Sequence, residues 1–292
     1  MVTVKAVRQI VFATYEGEPN LAADDRSLLP PLERLGFQVA PLRWDRDVVA
    51  PDCAGLVFRS CWNYDEAQGA FLRWLDELAV RGIPCCNPVA LVRWNFHKRY
   101  LLDLEARGAR LPPTVLLEQG DACTVEGLLA RLGTGEAVVK PAISMLARYT
   151  FRLSSLRLEE SERYLAQARS RGEVLVQSFV PEIQTRGESS LIFFGGEYSH
   201  AVRKRPAAGD FRSQSEHGGA VETISPSAAV RTQAERVLAC LDEVPAIARV
   251  DGVEVSDELL LMELELIDPS LYLGENTAAL DRCARVLAER LS

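Results

Sequence analysis

Leu260-Leu261-Met262-Glu263-Leu264-Glu265-Leu266-Ile267 is an apolar run with two carboxylates at alternate positions. Strand side chains alternate between faces, so Glu263 and Glu265 project together while Met262, Leu264 and Leu266 project the other way. Glu is disfavoured in strands, and two like charges so placed repel each other. A core strand has no use for the pair, whereas a divalent cation does, because hard cations take oxygen ligands. Upstream, Ala246–Gly252 is a second strand pattern, and Glu254–Glu258 between the two is a polar turn. A hairpin pivoting on Asp257 sets Asp251 opposite Glu263 and Arg249 opposite Glu265. Three carboxylates and a guanidinium then share one face. A slip of one residue would flip the faces and leave a solvated acidic edge instead. Removing one charge from such a cluster is expected to relieve repulsion and stabilise the metal-free protein.

Outward from this hairpin, the chain reads as α/β. Residues 8–13, 37–41, 55–59 and 83–86 are strand-like, with helices expected at 23–35 and 65–81, the second capped by Asp65. Strands alternating with helices indicate a parallel, doubly wound sheet over about the first ninety residues. A helix over 89–107 ends at Gly108 and Pro112-Pro113. The pattern then changes to strands at 115–117, 137–140, 151–153 and 174–177, with helices near 124–132 and 158–170. Gly195-Gly196 turns a hairpin of 190–194 with 197–203. Ser225-Pro226 opens a helix to Leu241, with Ser225 as its cap, and an amphipathic helix over 276–291 closes the chain. That last helix is compatible with a homodimer.

The 292 residues allow two or three domains, and the composition, 48% apolar and 25% charged, is that of a globular protein. A net charge of −8 with no basic tract gives nucleic acid no electrostatic footprint. No apolar run approaches the roughly 20 residues that span a bilayer, and the start at Met1 does not read as a signal peptide. Seven cysteines without a CxxC pair argue against a zinc site or disulfide scaffold and for reduced thiols in the cytoplasm. No Cys-His pair or Ser-His-Asp arrangement stands out, and His97, His200 and His217 read as structural or loop residues.

Four further features line up with the acidic hairpin. Val138-Val139-Lys140-Pro141 ends a strand in a lysine, and Lys98 is a basic position on a helix. Val176-Gln177-Ser178-Phe179-Val180-Pro181-Glu182 leaves a strand into an extended segment. Arg203-Lys204-Arg205-Pro206 through Arg212 places cations beside a flexible loop, suited to anionic groups. Taken in order, with Ala248–Asp251 and Met262–Ser270, these segments resemble the ATP-grasp superfamily, most closely its glutathione-synthetase-like carboxylate–amine ligases, over nearly the whole chain. Within it, the runs Ser199–Arg212 and Glu263–Ser270 look most like the group that closes O-ureido-serine to cycloserine.

The resemblance implies a three-domain ATP-grasp fold: a doubly wound substrate domain over 1–110, a central α+β lid over 111–180, and a C-terminal α+β domain with the metal site over 181–292. It implies that Lys98 and Lys140 contact ATP phosphates, that Gln177 and the backbone of Phe179 and Val180 face the adenine, and that Glu188 lies near the ribose. Asp251, Glu263 and Glu265 would hold Mg²⁺, two ions in all and replaceable by Mn²⁺, with Glu265 standing where family members often have Asn. Lys204 and Arg212, with Arg249 beside them, would meet the transferred phosphate. The loop 142–150, glycine-rich in such ligases, has no glycine here; Ser144, Arg148 and Thr150 are its available side chains. Arg59, Ser60, Trp62 and Tyr64 follow a strand of the first sheet, where open α/β sheets take ligands, and with Ser270 they are the candidate contacts to a small amino-acid-like substrate. The implied reaction is ATP-dependent activation of a carboxylate as an acyl phosphate, captured by a nitrogen nucleophile of the same molecule or of a second one. A nucleotide-binding protein with impaired catalysis is the alternative suggested by the glycine-free loop.

Overall fold

A computed structural model describes residues 8–51, 53–207, 209–213, 218–274 and 276–292. His217 and the first seven residues lie outside the described residues. The first sheet consists of β1 (Arg8–Thr14), β2 (Phe37–Arg43), β3 (Gly55–Ser60) and β4 (Cys85–Cys86), parallel in the order β2-β1-β3-β4. Successive residues of β1 serve opposite faces. Ile10 and Phe12 enter one apolar cluster and Val11 and Ala13 another, as in a parallel sheet covered on both sides.

Helices α1 (Ala23–Arg26) and α2 (Leu29–Arg34) replace the single helix expected over 23–35. Pro30 and Pro31 lack the N–H that a continuing helix would need, so they begin a new one. Helix α3 (Gln68–Val80) starts later than expected, and Asp65 does not cap it; the Asp65 carboxylate instead takes Arg148 Nη1 at 2.6 Å. The helix expected over 89–107 is also two, α4 (Val89–Asn95) and α5 (Tyr100–Ala106). Lys98 lies in the break between them, with its backbone N–H on the Ala142 carbonyl at 2.8 Å.

The second sheet is antiparallel: β5 (Thr114–Leu117), β6 (Glu136–Pro141), β7 (Phe151–Ser154) and β8 (Val174–Ser178), in the order β5-β8-β6-β7. Helices α6 (Val125–Leu132) and α7 (Leu158–Arg169) cover its apolar side. The Thr124 hydroxyl caps α6 by accepting from Gly127 N–H. After a short α8 (Glu182–Thr185), the third sheet holds β9 (Glu188–Phe194), β10 (Glu197–Arg205), β11 (Ala220–Ile224), β12 (Ile247–Val255) and β13 (Glu258–Glu265), ordered β11-β10-β9-β12-β13. The edge strand β11, mostly exposed and short of apolar alternation, has no counterpart in the sequence reading. Helix α9 (Ala228–Ala239) begins after Ser227, whose hydroxyl accepts from Val230 N–H; the cap is therefore two residues later than Ser225. The last helix, α10 (Thr277–Arg290), buries Ala279, Cys283, Ala284 and Leu287 in the cluster that holds Ile10, Phe12 and Phe194. Its apolar face is thus used within the chain and gives no argument for a dimer.

The β12–β13 hairpin has the expected pairing for an unexpected reason. Val255 pairs with Glu258, so Ser256 and Asp257 form a two-residue turn, both at positive φ (48° and 66°). Such a turn alone would set Asp251 opposite Met262. A bulge between Asp251 and Gly252 admits one extra residue on β13, which restores Asp251 opposite Glu263 and Arg249 opposite Glu265. The bulge also turns Met262 to the side of Glu263. It packs with Phe179, Val180, Ile183 and Val253, contrary to simple alternation, whereas Leu264 enters the core under α9. Gly252 accommodates the bulge: a Cβ there would lie 2.8 Å from the Leu260 carbonyl oxygen and 2.6 Å from Leu259 Cδ1.

Candidate active site

A cavity of about 250 Å³ lies between the second and third sheets, closed by the segment after β3 and by the α4–α5 region. Its walls include Lys98, Lys140, Ser144, Gln177, Phe179, Val180 and Glu188. Lys204, Arg212, Arg249, Asp251, Glu263, Glu265, Trp62, Tyr64 and Ser270 also line it. These side chains come from positions more than two hundred residues apart, so their convergence is a property of the fold.

The acidic wall is a charge network. Arg249 grips Asp251 with two nitrogens, Nε and Nη2, each at 2.9 Å, and reaches across the hairpin to Glu265 through the same Nη2. Lys204 sits between Glu188 at 3.1 Å and Asp251 at 3.4 Å, and Ser190 Oγ donates to Asp251 at 2.5 Å. Glu263 is paired with Lys98 from the α4–α5 break. Lys140, at the end of β6, reaches the Met262 carbonyl at 3.3 Å. Burial alone would raise the pKa of Asp251, but Arg249 and Lys204 overcome it and hold the carboxylate below its ordinary range. Glu263 is likewise held low by Lys98 and Lys140 against its burial. Glu265 goes the other way: burial, with Asp251 and Glu263 nearby, outweighs Arg249 and pushes it up to about 7. Burial lowers Lys140, with Glu263 opposing.

Among the described residues, no group of three or more His, Cys, Asp or Glu is arranged to hold a metal ion. The reason is the pairing just described, since the three carboxylates are drawn to Lys98, Lys204 and Arg249 rather than to a common point. Their donor chemistry still fits a hard cation, all oxygen and on one wall.

Other expected contacts are modified. Phe179 N–H is committed to the Glu136 carbonyl at 3.0 Å and the Val180 carbonyl to Ile183 N–H at 3.1 Å. Their apolar side chains, with Phe211 and Met262, line this end of the cavity. Gln177 Nε2 donates to Thr114 Oγ1 at 3.1 Å, and Ser144 Oγ to the Pro141 carbonyl at 3.1 Å. Arg212 is folded onto Asp210, with Nη2 to Oδ2 at 2.8 Å. Arg59 and Ser60 do not line the cavity. Arg59 is 2% exposed, bound to Asp25 at 2.7 Å and to the Pro269 carbonyl at 3.0 Å, and Ser60 donates to the same Asp25. They fasten β3 to α1 and to the segment after β13. Tyr64 stacks on Phe71, ring centres 5.1 Å apart, and still contributes to the cavity wall.

The glycine-free loop is tied down. Arg148 binds Asp65 at 2.6 Å, Glu66 at 3.0 Å and the Trp62 carbonyl at 3.2 Å, and Met145 N–H reaches Asp65 at 3.3 Å. Leu146, Ala147 and Tyr149 all have φ near +54°, a region that non-glycine residues rarely adopt. His97 bonds Glu173 at 3.2 Å and His200 Nε2 bonds the Leu271 carbonyl at 2.8 Å; neither lines the cavity. Among the cavity residues that the sequence did not mark out are Asn95, Tyr100, Met262, Asp268 and Tyr272. Asn95 carries a signal only in three dimensions, where its side-chain amide pairs with both Leu264 O and Leu266 N–H, continuing the sheet edge.

Residues 117–270 match the family described as prokaryotic glutathione synthetase, ATP-grasp domain. This chain belongs to the ATP-grasp family. Within that family of carboxylate–amine ligases, its residues 10–87 match the D-cycloserine synthetase DcsG N-terminal domain. The ligase is 31% identical over 252 residues to the cycloserine biosynthesis protein DcsG of Streptomyces lavendulae, covering 81% of this chain and 83% of that one. It superposes on the crystal structure of D-cycloserine synthetase DcsG with a TM-score of 0.86 at 28% identity, over 97% of this chain and all of the other. D-alanine–D-alanine ligase from Bacillus anthracis shares the fold, with a TM-score of 0.72 at 16% identity over 98% and 97% of the two chains. No helix among the described residues is long and apolar enough to cross a membrane.

Proposed function

We propose that this ligase uses ATP to activate a small amino-acid-like carboxylate as an acyl phosphate, and that a nitrogen of the same molecule then closes a ring, with O-ureido-serine as substrate and cycloserine as product once the carbamoyl group of the ureido nitrogen is lost by hydrolysis as carbon dioxide and ammonia. The observation that carries the reading is the shared cavity. Its acidic and lysine wall comes from β6, β12, β13 and the α4–α5 break, and Trp62 and Tyr64 face it from the part of the chain that matches the DcsG N-terminal domain. The divisions at 1–110, 111–180 and 181–292 belong to the same reading.

A carboxylate is a poor acyl donor because its charge repels nucleophiles and oxide leaves badly. Its oxygen takes the terminal phosphoryl group of ATP, ADP departs, and the nitrogen then displaces phosphate from the acyl carbon. Both steps gather negative charge, which preorganised cations stabilise. Lys98 and Lys140 meet the phosphates, with Ser144 beside them. Phe179, Val180 and Met262 hold the adenine ring, with Gln177 at its edge, and Glu188 lies toward the ribose. Lys204, Arg249 and Arg212 face the transferred phosphoryl group, and Trp62, Tyr64 and Ser270 surround the substrate. Asp251, Glu263 and Glu265 would hold Mg²⁺, whose charge supplies electrostatic stabilisation of the phosphates. Engaging it requires Glu263 to leave Lys98, which frees that lysine for a phosphate.

ADP release with O-ureido-serine as sole acceptor, and a cyclic product in the mass spectrum, is the expected result. Strict dependence on a second amine, with product mass equal to both reactants less water, would establish intermolecular ligation instead. Nucleotide binding without turnover on any amino-acid-like carboxylate would leave only a nucleotide-binding protein.

A further inference from the structure

We propose that Asp268 is the recognition group for the substrate's ammonium, so that the cavity selects carboxylates bearing a free amine. Asp268 follows β13 in the segment Ile267-Asp268-Pro269-Ser270 and lines the cavity beside Trp62, Tyr64 and Ser270. It is only 6% exposed, and its Oδ2 is buried without a hydrogen-bond partner among the described residues. A buried carboxylate oxygen left unpaired is costly, and such groups are normally satisfied in the functioning state.

The surroundings call for a cation. Arg59 is the neighbouring positive charge, but its ion pair is with Asp25 at 2.7 Å and its Nη2 is taken by the Pro269 carbonyl; its buried Nη1, like Asp268 Oδ2, has no hydrogen-bond partner among the described residues. Were all three ionised, Asp25, Arg59 and Asp268 together would carry one net negative charge. The cationic side chains of the acidic wall are engaged elsewhere: Arg249 with Asp251 and Glu265, Lys98 with Glu263, Lys204 with Glu188 and Asp251, and Lys140 with the Met262 carbonyl. Burial, reinforced by Glu265 and opposed by Arg59, pushes Asp268 well above the usual carboxylate range, so the acid is held neutral until a bound cation favours its ionised form. Trp62 and Tyr64 line the same cavity, and Tyr64 lies near enough to Asp268 for the two to interact electrostatically.

The inference rests on the amino-acid-like substrate of the proposed function, and the test separates the two. Binding of O-ureido-serine and of its amine-free analogue 3-(ureidooxy)propanoate to the full chain is measured by calorimetry, with ADP release followed in parallel. A charge-assisted contact predicts that the wild-type protein prefers the amine-bearing probe by about 10- to 100-fold. Asp268→Asn should bind both probes alike, and Asp268→Glu should keep part of the preference. The wild-type comparison stands even if a variant fails to fold. Equal wild-type binding of the two probes, an undiminished preference in Asp268→Asn, or binding of neither probe overturns the assignment. A preference lost in Asp268→Asn without any ADP release would uphold the ammonium site and refute the ligation reading. ADP release supported equally by both probes would do the reverse.

Discussion

Gly252→Ala tests the link between the bulge and the site. The added Cβ would sit 2.6 Å from Leu259 Cδ1, 2.9 Å from its Cγ and 2.8 Å from the Leu260 carbonyl oxygen. Leu259 is 4% exposed and packed among core side chains, so it has little room to withdraw, and the carbonyl is backbone within β13. Two responses remain. The strands separate locally, at the usual cost of overpacking, about 1–3 kcal/mol. Otherwise the bulge slips, which moves Asp251 opposite Met262 and turns Glu263 away from Lys98. Either way a loss of about 2–3 kcal/mol is expected, a factor of roughly 30 or more in the folded-to-unfolded ratio. Urea unfolding followed by far-UV circular dichroism and tryptophan fluorescence measures it. Gly69→Ala is the control. That residue lies in α3, and its nearest neighbour is the flexible end of Arg73, Nη1 at 3.3 Å. Alanine there should be neutral or stabilising by up to about 1 kcal/mol. A Gly252→Ala protein within about 0.5 kcal/mol of wild type, or indistinguishable from Gly69→Ala, would refute the idea that this glycine sets the register.

Glu263→Gln should lower, not raise, the melting temperature of the metal-free protein, because it leaves Lys98, 9% exposed at the side chain, without its counter-charge; a rise would restore the expectation from repulsion alone. Arg148→Ala removes the ties to Asp65, Glu66 and the Trp62 carbonyl, so hydrogen exchange over residues 144–150 should accelerate, and unchanged protection would show that the loop is held by other means. Burial holds His200 below its ordinary 6.5, so the unfolded chain binds its proton more tightly. Its contribution is fully present above about pH 6.5 and is lost as pH falls through the folded value. The stability deficit of His200→Gln relative to wild type should therefore be smaller at about pH 5.5 than at about pH 7.5, and a constant deficit in paired melts would refute it.

Local rules carried far along this chain. Strand alternation put Glu263 and Glu265 on one face, Gly195-Gly196 turned a hairpin, and the βα alternation indicated the parallel sheet. Such features depend on a few neighbouring residues, so they can be read in order along the sequence. What failed depended on partners distant in sequence. Asp65 looked like a helix cap, but Arg148 lies 83 positions away and claims its carboxylate. Arg59 looked like a ligand contact, but Asp25 and the Pro269 carbonyl absorb its charge in the interior. The hairpin is the instructive case. Its pairing of Asp251 with Glu263 follows from a two-residue turn plus a bulge, and packing around Gly252 decides that sum. Sequence by itself determined which residues carry charge and which strands they ride on. Tertiary structure decided which charges neutralise each other and which polar atoms, such as Asp268 Oδ2, are buried without a partner, because ion pairing and desolvation depend on distance in space.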